Sequence, residues 1–453
     1  MISFKIYTLG CKVNKYDSSI LAGRLKKLNW RYLKLTDPEQ VDLVIINTCS
    51  VTTNAHRKDR RMIHKARQEN PQAKVVVMGC WLKVYPEAKK KIQADLYWPV
   101  GKLDQLESEV AKLMGVDSNQ TVKAKKIIVS SSNKNTDLGK NTGTEEIVNV
   151  SPPGLGERSR YFMKVQDGCQ QFCSYCVIPF SRGKLESRPV EDILKEAILV
   201  EKRGYGEIVL CGIHLGLYNQ EKKELKEKNL THLIKEILNN TDKLRVRISS
   251  IEINDVSDEL INLMVTEKRF CNHFHISLQS GDNRILKLMN RPYDTEYFFA
   301  KVNKIKSLIP EIALTTDVIV GFPGETEEEF LRTCDFVKSL ELSKLHVFPY
   351  SKHERTPAAK MSGHLDGVVK AERADFLRRI SDDLWDVYQK KLKDTKKNFE
   401  VVVESVKAGE AIGKTEYYFN IPIVGQGIGR LNIGELVKVK KEGDDLWKLT
   451  EVV

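Results

Sequence analysis

The sequence has no long apolar run: its longest, Val75 to Leu82, is broken by Gly79 and falls far short of the ~20 residues a membrane-spanning helix needs. A transmembrane helix is excluded. Nor does the N-terminus carry an apolar core followed by a small-residue cleavage site. Met1-Ile-Ser-Phe-Lys5 opens directly in a strand-like alternation, so the chain is expected in the cytoplasm and off the membrane. No repeat of solenoid period is present. Acidic residues are in deficit, 61 Asp and Glu against 73 Lys and Arg, and the net charge of +12 favours a polyanionic partner. Nucleic acid ranks above anionic lipid, because no basic amphipathic helix with a bulky apolar face stands out. The nine cysteines are an odd number in a reducing compartment, which argues against a disulfide framework and for metal or redox chemistry.

What is present is ordinary globular sequence, 41% hydrophobic and 30% charged, and 453 residues are too many for one core. Residues 1–115 alternate strand and helix patterns: strands at Ile2–Leu9, Val41–Ile46 and Lys74–Met78, helices at Asp17–Leu28, Ala55–Glu69, Pro86–Ile92 and Leu103–Leu113. That is a doubly wound α/β domain with a parallel sheet. Residues 116–157, rich in Ser, Asn, Lys and Gly, read as a linker that carries at most a strand at Ile127–Val129. Six or so βα repeats follow over residues 158–385 and predict a partial or complete β/α barrel, with its site at the strand C-terminal ends. A basic helix is expected over Ala371–Lys393. Short β-rich runs at Phe399–Val406, Glu416–Ile421, Leu436–Lys441 and Leu446–Glu451 then predict a small β-barrel in residues 390–453, detachable from the rest.

Two cysteine constellations stand out. Cys169-Gln-Gln-Phe-Cys173-Ser-Tyr-Cys176 follows the first strand of the expected barrel, and three thiolates at that spacing can hold three irons of a [4Fe-4S] cluster, leaving one iron open. A zinc site prefers four ligands in paired knuckles, and this loop offers three. The second set is dispersed. Cys11, Cys49 and Cys80 each follow one of three successive strands, so a parallel sheet brings all three to the edge where such sheets bind ligands. One cysteine after a strand is more often an inert core residue; three at equivalent points favour a second cluster over chance burial. Cys211, Cys271 and Cys334 have no partners at ligand spacing and read as buried thiols.

The cysteine loop, with Tyr175 before its third cysteine, resembles the radical S-adenosylmethionine superfamily. There the open iron is chelated by S-adenosylmethionine, which the reduced cluster cleaves to a 5′-deoxyadenosyl radical. Gly212, Glu252, Gln279 in Gln279-Ser-Gly281, and Gly321 in Gly321-Phe-Pro-Gly-Glu-Thr326 each end an expected strand. The resemblance implies that they, with Tyr175, contact the cofactor. Arg182 and Arg188 flank the cysteine loop, and each is a candidate to pair with the cofactor's carboxylate or with a phosphate, against the plain alternative of capping a helix; Arg182 is taken among the cofactor contacts. Over nearly the whole chain the pattern resembles the methylthiotransferase family, whose members join an α/β domain with three cysteines, a radical S-adenosylmethionine barrel and a C-terminal β-barrel called TRAM. The matching stretches are Thr8-Leu-Gly-Cys-Lys-Val-Asn14, Asn47-Thr-Cys-Ser-Val-Thr52, Asp167-Gly-Cys169 through Pro179-Phe-Ser-Arg-Gly183, and Gly321 to Thr326. Cys211 departs from that pattern, standing where the family more often has Thr. Gly10 to Asn14 and His275 to Gly281 with Met289-Asn-Arg291 resemble the subgroup that acts on threonylcarbamoyladenosine in tRNA.

That resemblance implies a tRNA methylthiotransferase acting at position 37 in the anticodon loop. It implies two [4Fe-4S] clusters, S-adenosylmethionine, an electron donor such as flavodoxin or ferredoxin, and a sulfur donor. The rivals are a subgroup acting on isopentenyladenosine or a ribosomal-protein aspartate, and a non-catalytic iron–sulfur electron carrier that binds RNA. Arg57, Lys58, Arg60, Arg61, Lys65 and Arg67 lie on one expected helix, with Arg57, Arg61 and Lys65 on a single face. They are the RNA candidates there, against the alternative of a solvated surface. In the small barrel Tyr417 and Tyr418 among lysines suit stacking on unpaired bases, although alternating core aromatics would look the same.

Overall fold

The computed structural model describes residues 1–101, 103–116, 159–407, 409–443 and 445–453. The expected strand at Ile127–Val129, and nearly all of the expected linker, lie outside them. The described residues form two compact units. The first takes residues up to 116 together with Val177–Gly183; the second takes residues from Ser159 to Cys176 and Lys184–Val453.

The first unit is a five-stranded, all-parallel sheet of β1 (Ser3–Thr8), β2 (Arg31–Tyr32), β3 (Leu43–Thr48), β4 (Lys74–Gly79) and β5 (Leu96–Pro99), in the order β2-β1-β3-β4-β5. The central strands are apolar on both faces because helices cover both. Phe4, Ile6, Leu43, Ile45, Val76 and Met78 pack against Leu21 and Leu25 of α1 (Lys12–Lys27) and against Leu106 and Val110 of a helix at Leu103–Leu113. The alternate residues Val44, Ile46, Val75 and Val77 pack against Ile63 and Ala66 of α2 (Thr53–Glu69). With α1 and α2 on opposite faces, β1 and β3 flank a switch point, where doubly wound sheets open a crevice beyond their C-terminal ends. The sequence pattern did not reveal β2 and β5, edge strands too short to show an alternation. The helix expected at Pro86–Ile92 is a 3-10 stretch, Pro86–Lys91.

In the second unit β6 (Tyr161–Lys164) leads to a two-stranded ribbon, β7 (Gln166–Asp167) with β8 (Glu186–Ser187). Then come β9 (Glu207–Cys211), β10 (Arg245–Ile248), β11 (Ser250–Ile251), β12 (His273–Ile276), β13 (Ala313–Val320) and β14 (Lys344–Pro349). Two parallel sheets, β10-β9-β6 and β11-β12-β13-β14, meet where Ser249 separates β10 from β11. The result is a six-stranded arc with β6 and β14 at its ends, and no pairing joins those two among the described residues. Its helices start where side chains cap them: Asn229, Ser257, Asp282 and Asp294 accept from the first turn, and Thr326 with Glu329 closes a capping box.

The chain ends in a closed barrel of β15 (Asn398–Lys407), β16 (Glu410–Thr415), β17 (Asn420–Val424), β18 (Leu436–Lys441) and β19 (Trp447–Val452). Its core of Phe399, Val401, Ile421, Ile423, Val439 and Trp447 also takes Leu392 from the helix Gly367–Thr395. One expectation is corrected here. The run Glu416–Ile421 is not one strand: Glu416 to Phe419 turn between β16 and β17, with Tyr418 at φ +75°. The small barrel, expected to stand apart, shares buried polar contacts with the larger one. Glu207 is fully buried between Arg245 and Arg247, which hold it through bonds of 2.6–3.2 Å. The remaining donors of both arginines reach the backbone carbonyls of Glu400, Lys414, Thr415 and Glu416. The floor of the larger barrel is thus completed by the smaller one.

Candidate metal centres

In the first unit the three expected cysteines converge. Cys11 lies beyond β1 as the N-cap of α1, Cys49 follows β3, and Cys80 follows β4 and opens a short helix, Cys80–Val84. Two glycines allow the approach. Gly10, at φ +94°, leaves so little room that an added Cβ would stand 2.8 Å from the Cys49 Sγ, and at Gly79, φ +109°, it would stand 2.5 Å from the Thr48 carbonyl. Asn14 is the common neighbour: its Oδ1 lies 3.9 Å from both the Cys11 and the Cys80 Sγ. Its Nδ2 donates to the carbonyls of Leu9 and Thr48 at 2.9 Å, which fixes the amide with its oxygen toward the sulfurs. Beneath Cys49 the carboxyl of Asp59 accepts from the Cys49 amide, and burial pushes that carboxyl up to about 8.

In the second unit the loop Cys169–Cys176 follows β7. It turns through Phe172 at φ +52° and is pinned by the segment after the helix Asn283–Leu288: Ser174 bonds the carbonyls of Leu288 and Met289, and Asn290 donates to the Phe172 carbonyl. The Cys169 Sγ lies 3.5 Å from Nδ1 of His214, whose Nε2 contacts Asp255 at 2.9 Å. Burial alone would lower the His214 pKa, but the bonds to Asp255 and Cys169 outweigh it and raise it to about 10. Arg291, with its side chain 1% exposed, donates to the Cys173 Sγ at 3.2 Å and pairs with Glu252.

Both donor sets fit a thiolate-bound cluster. Burial pushes the Cys80 and Cys173 thiols up, and each is opposed by a buried guanidinium, Arg182 at Cys80 and Arg291 at Cys173. A buried cation beside a buried thiol is an arrangement suited to a sulfur that carries negative charge once metal is bound. Cys211, Cys271 and Cys334 are buried on other elements; the Cys211 thiol donates to the Val209 carbonyl, and the Cys271 thiol lies against Glu207.

The other expected contacts fall out unevenly. Gly212, Glu252, Gln279 and Gly321 follow β9, β11, β12 and β13, so all four stand at strand C-terminal ends of the barrel. Gln279 is left-handed at φ +72° and paired through its backbone to β13; Glu252 is engaged by Arg291; the Gly321 amide donates to Glu325. Tyr175 is half-buried, packed against the same apolar cluster as Ile319 of β13. Arg182 stands apart from these four: its guanidinium lies in the first unit against Asp17 and Asn14, because Val177–Gly183 folds there. Arg57, Arg61 and Lys65 are exposed on α2 as expected, Lys65 near Glu69. Tyr417 and Tyr418 are not free to stack on bases. Tyr417 is 4% exposed, edge-on to Phe399, and the Tyr418 ring lies flat on His273 at 4.2 Å with Lys414 and Arg247 about it.

One group went unnoticed in the sequence. His346 of β14 stands opposite Asp317 of β13, and His275 of β12 opposite Thr315, so all four side chains share one face of the sheet. The His346 Nδ1 lies 3.4 Å from Asp317, which His275 Nε2 approaches at 3.2 Å; the other nitrogen of His275 contacts the Thr315 hydroxyl at 2.9 Å. Burial would raise the Asp317 carboxyl, but the two imidazoles outweigh it and hold it well below the usual range.

A family profile for the radical SAM superfamily matches residues 163–337, and one for the uncharacterized protein family UPF0004 matches residues 3–98. The chain is 35% identical to the threonylcarbamoyladenosine tRNA methylthiotransferase MtaB of Bacillus subtilis over 452 residues, covering 97% of this chain and 94% of that one. The chain belongs to the methylthiotransferase family. Another member, MtaB of Thermotoga maritima, is 33% identical over 98% of this chain and 96% of its own, and the tRNA-2-methylthio-N(6)-dimethylallyladenosine synthase of Thermodesulfovibrio yellowstonii is 31% identical over 96% and 95%. Among solved structures, the radical S-adenosylmethionine methyltransferase TsrM of Kitasatospora setae shares the fold with a TM-score of 0.55 at 16% identity, over 79% of this chain and 74% of that one. As a methylthiotransferase with a radical SAM domain, the chain is an enzyme that uses S-adenosylmethionine and [4Fe-4S] chemistry. No helix among the described residues is long and apolar enough to cross a membrane.

Proposed function

We propose that this enzyme adds a methylthio group to C2 of threonylcarbamoyladenosine at position 37 of tRNA, with two [4Fe-4S] clusters. One is held by Cys169, Cys173 and Cys176, the other by Cys11, Cys49 and Cys80. The observation that carries the reading is the pair of three-cysteine constellations, each at the strand C-terminal ends of its own unit and each with a buried arginine beside one thiol. A single cluster would suffice for an electron carrier. A second cluster, held by Cys11, Cys49 and Cys80, would supply a separate place for the sulfur chemistry, and a sulfur donor and an electron donor of flavodoxin or ferredoxin type would complete the needs of the reaction.

The aromatic C–H bond is beyond ordinary acid–base side chains, so the hard step belongs to the cofactor: a cluster held by Cys169, Cys173 and Cys176 would supply the one-electron chemistry that S-adenosylmethionine cleavage needs. The chain's own residues bind, orient and exclude water. Gly212, Glu252, Gln279 and Gly321 mark the rim where the cofactor would lie. Arg291 bonds both Glu252 and Cys173, which ties the cysteine loop to the rim. Below, Tyr418 on His273 contributes to the floor of the barrel, and His275, Thr315, Asp317 and His346 give it a polar wall. A polar wall suits the ionised, hydrogen-bonding threonylcarbamoyl group better than an apolar prenyl chain. The exposed cations Arg57, Arg61 and Lys65 are proposed to meet tRNA phosphates.

Mass analysis of tRNA nucleosides from cells lacking the gene tests this reading. Loss of the 2-methylthio derivative of threonylcarbamoyladenosine, with its precursor accumulating, is expected. Loss of the methylthio derivative of isopentenyladenosine instead would move the enzyme to the other tRNA subgroup.

A further inference from the structure

Arg182 stands six residues beyond Cys176 in the chain, yet it belongs to the first unit. Its side chain is 1% exposed there. Nη1 pairs with the Asp17 carboxylate at 3.0 Å, Nη2 donates to the Asn14 Oδ1, and the guanidinium hydrogen-bonds Cys80. The Asn14 oxygen it meets is the one that lies 3.9 Å from the sulfurs of Cys11 and Cys80. A salt bridge to Asp17 alone would need none of these sulfur-facing contacts. The second unit repeats the arrangement with other residues: buried Arg291 is held by a carboxylate, Glu252, and donates to a cysteine sulfur, Cys173. Two independent instances of carboxylate, buried arginine and triad cysteine argue for a common purpose.

We propose that Arg182 is a positioning and charge-balancing residue for the cluster at Cys11, Cys49 and Cys80, and not a ligand of the S-adenosylmethionine carboxylate. The inference rests on the reading that those cysteines hold a cluster. Its physical basis is direct. A cluster bound by three thiolates gains a negative charge on reduction, and a buried cation beside one of the sulfurs favours the reduced form and raises the potential. Asp17 acts in the opposite sense, because it partly cancels that cation. The short helix Ile178–Arg182, ended by Gly183 at φ +82°, is the device that carries the charge into the first unit before the chain returns at Lys184.

The test uses full-length protein in which Cys169, Cys173 and Cys176 are replaced by Ala, so that only the cluster of the first unit remains. Its midpoint potential is followed by anaerobic redox titration with electron paramagnetic resonance. Arg182→Gln is expected to shift the potential to more negative values at unchanged iron content, with Arg182→Lys in between. Asp17→Asn, which leaves the cation unopposed, is expected to shift it the other way. In protein with all its cysteines, Arg182→Gln is expected to keep the wild-type dissociation constant for S-adenosylmethionine, measured by equilibrium dialysis. Potentials that stay put in both variants overturn the proposal, as does a shift of the same sign in both. Weakened S-adenosylmethionine binding at constant potential would return Arg182 to the cofactor. If Arg182→Gln loses its iron, the sign of the Asp17→Asn shift decides alone. Absence of iron from the triple-cysteine protein itself would refute the cluster reading that underlies the inference.

Discussion

Replacing Glu207 by Gln should unhinge the floor of the barrel without touching either cysteine triad. Glu207 is 0% exposed and accepts four bonds from two guanidinium groups, at 3.1 and 2.6 Å from Arg245 and at 2.8 and 3.2 Å from Arg247. Arg160 adds a third cation at 3.7 Å. Gln keeps the shape but removes the charge, and its amide turns two donors toward groups that can only donate. Removing one partner of a buried pair costs about 3–5 kcal/mol, since the cations left behind stay buried. That is a large share of the ~5–15 kcal/mol that holds a domain folded. At about 2–4 °C per kcal/mol for a unit of this size, Tm should fall by roughly 6–20 °C, read by circular dichroism on anaerobically reconstituted protein. The pH dependence carries the sign. Burial alone would raise the Glu207 carboxyl, but Arg247 and Arg245 outweigh it and depress it. Its stabilisation is therefore complete above the unfolded carboxylate value, about 4.3, and is lost only as pH falls through the lower folded one. The gap between variant and wild type should hold steady from pH 8 to about 5 and narrow below 4. A variant that melts within 1–2 °C of the wild type, which is roughly what a surface change does, would refute the reasoning.

Truncation before Lys391 should yield aggregated or iron-poor protein, because it strips the carbonyls of Glu400, Lys414, Thr415 and Glu416 from the two arginines; a soluble, fully loaded remnant on gel filtration would contradict this. Gly79→Ala should lower iron bound by the first unit while sparing the second, since its Cβ would meet the Thr48 carbonyl at 2.5 Å in a left-handed backbone; iron analysis in each triple-cysteine background checks it. Changing Arg57, Arg61 and Lys65 together to Ala should flatten the slope of log affinity for tRNA against log salt by about 2–3, roughly 0.7–0.9 for each phosphate no longer neutralised; an unchanged slope returns that face to plain solvent.

What the sequence disclosed and what it hid follow one physical division. Cys11, Cys49 and Cys80 were legible because each follows an apolar strand, and a parallel sheet must bring such positions to one edge. The Cys169 loop was legible because its ligands are local. The partners of Arg182 and Arg291 were hidden because folding fixes them: Asn14 is 168 residues from Arg182, and Cys173 is 118 residues from Arg291. The same holds for His275, Asp317 and His346, which meet only when β12, β13 and β14 align. Tyr417 and Tyr418 misled because aromatics in a short β-rich run look alike whether they face a core or a base. A positive φ at Tyr418 and a histidine beneath its ring cannot be read from composition.

The central claim is that two cysteine triads hold two separate clusters, and iron counting on two variants tests it most directly. Replacing Cys169, Cys173 and Cys176 by Ala should remove half of the iron and abolish cleavage of S-adenosylmethionine to 5′-deoxyadenosine. Replacing Cys11, Cys49 and Cys80 should also remove half of the iron yet leave that cleavage measurable. Full iron content in either variant, with the protein folded, would contradict the account.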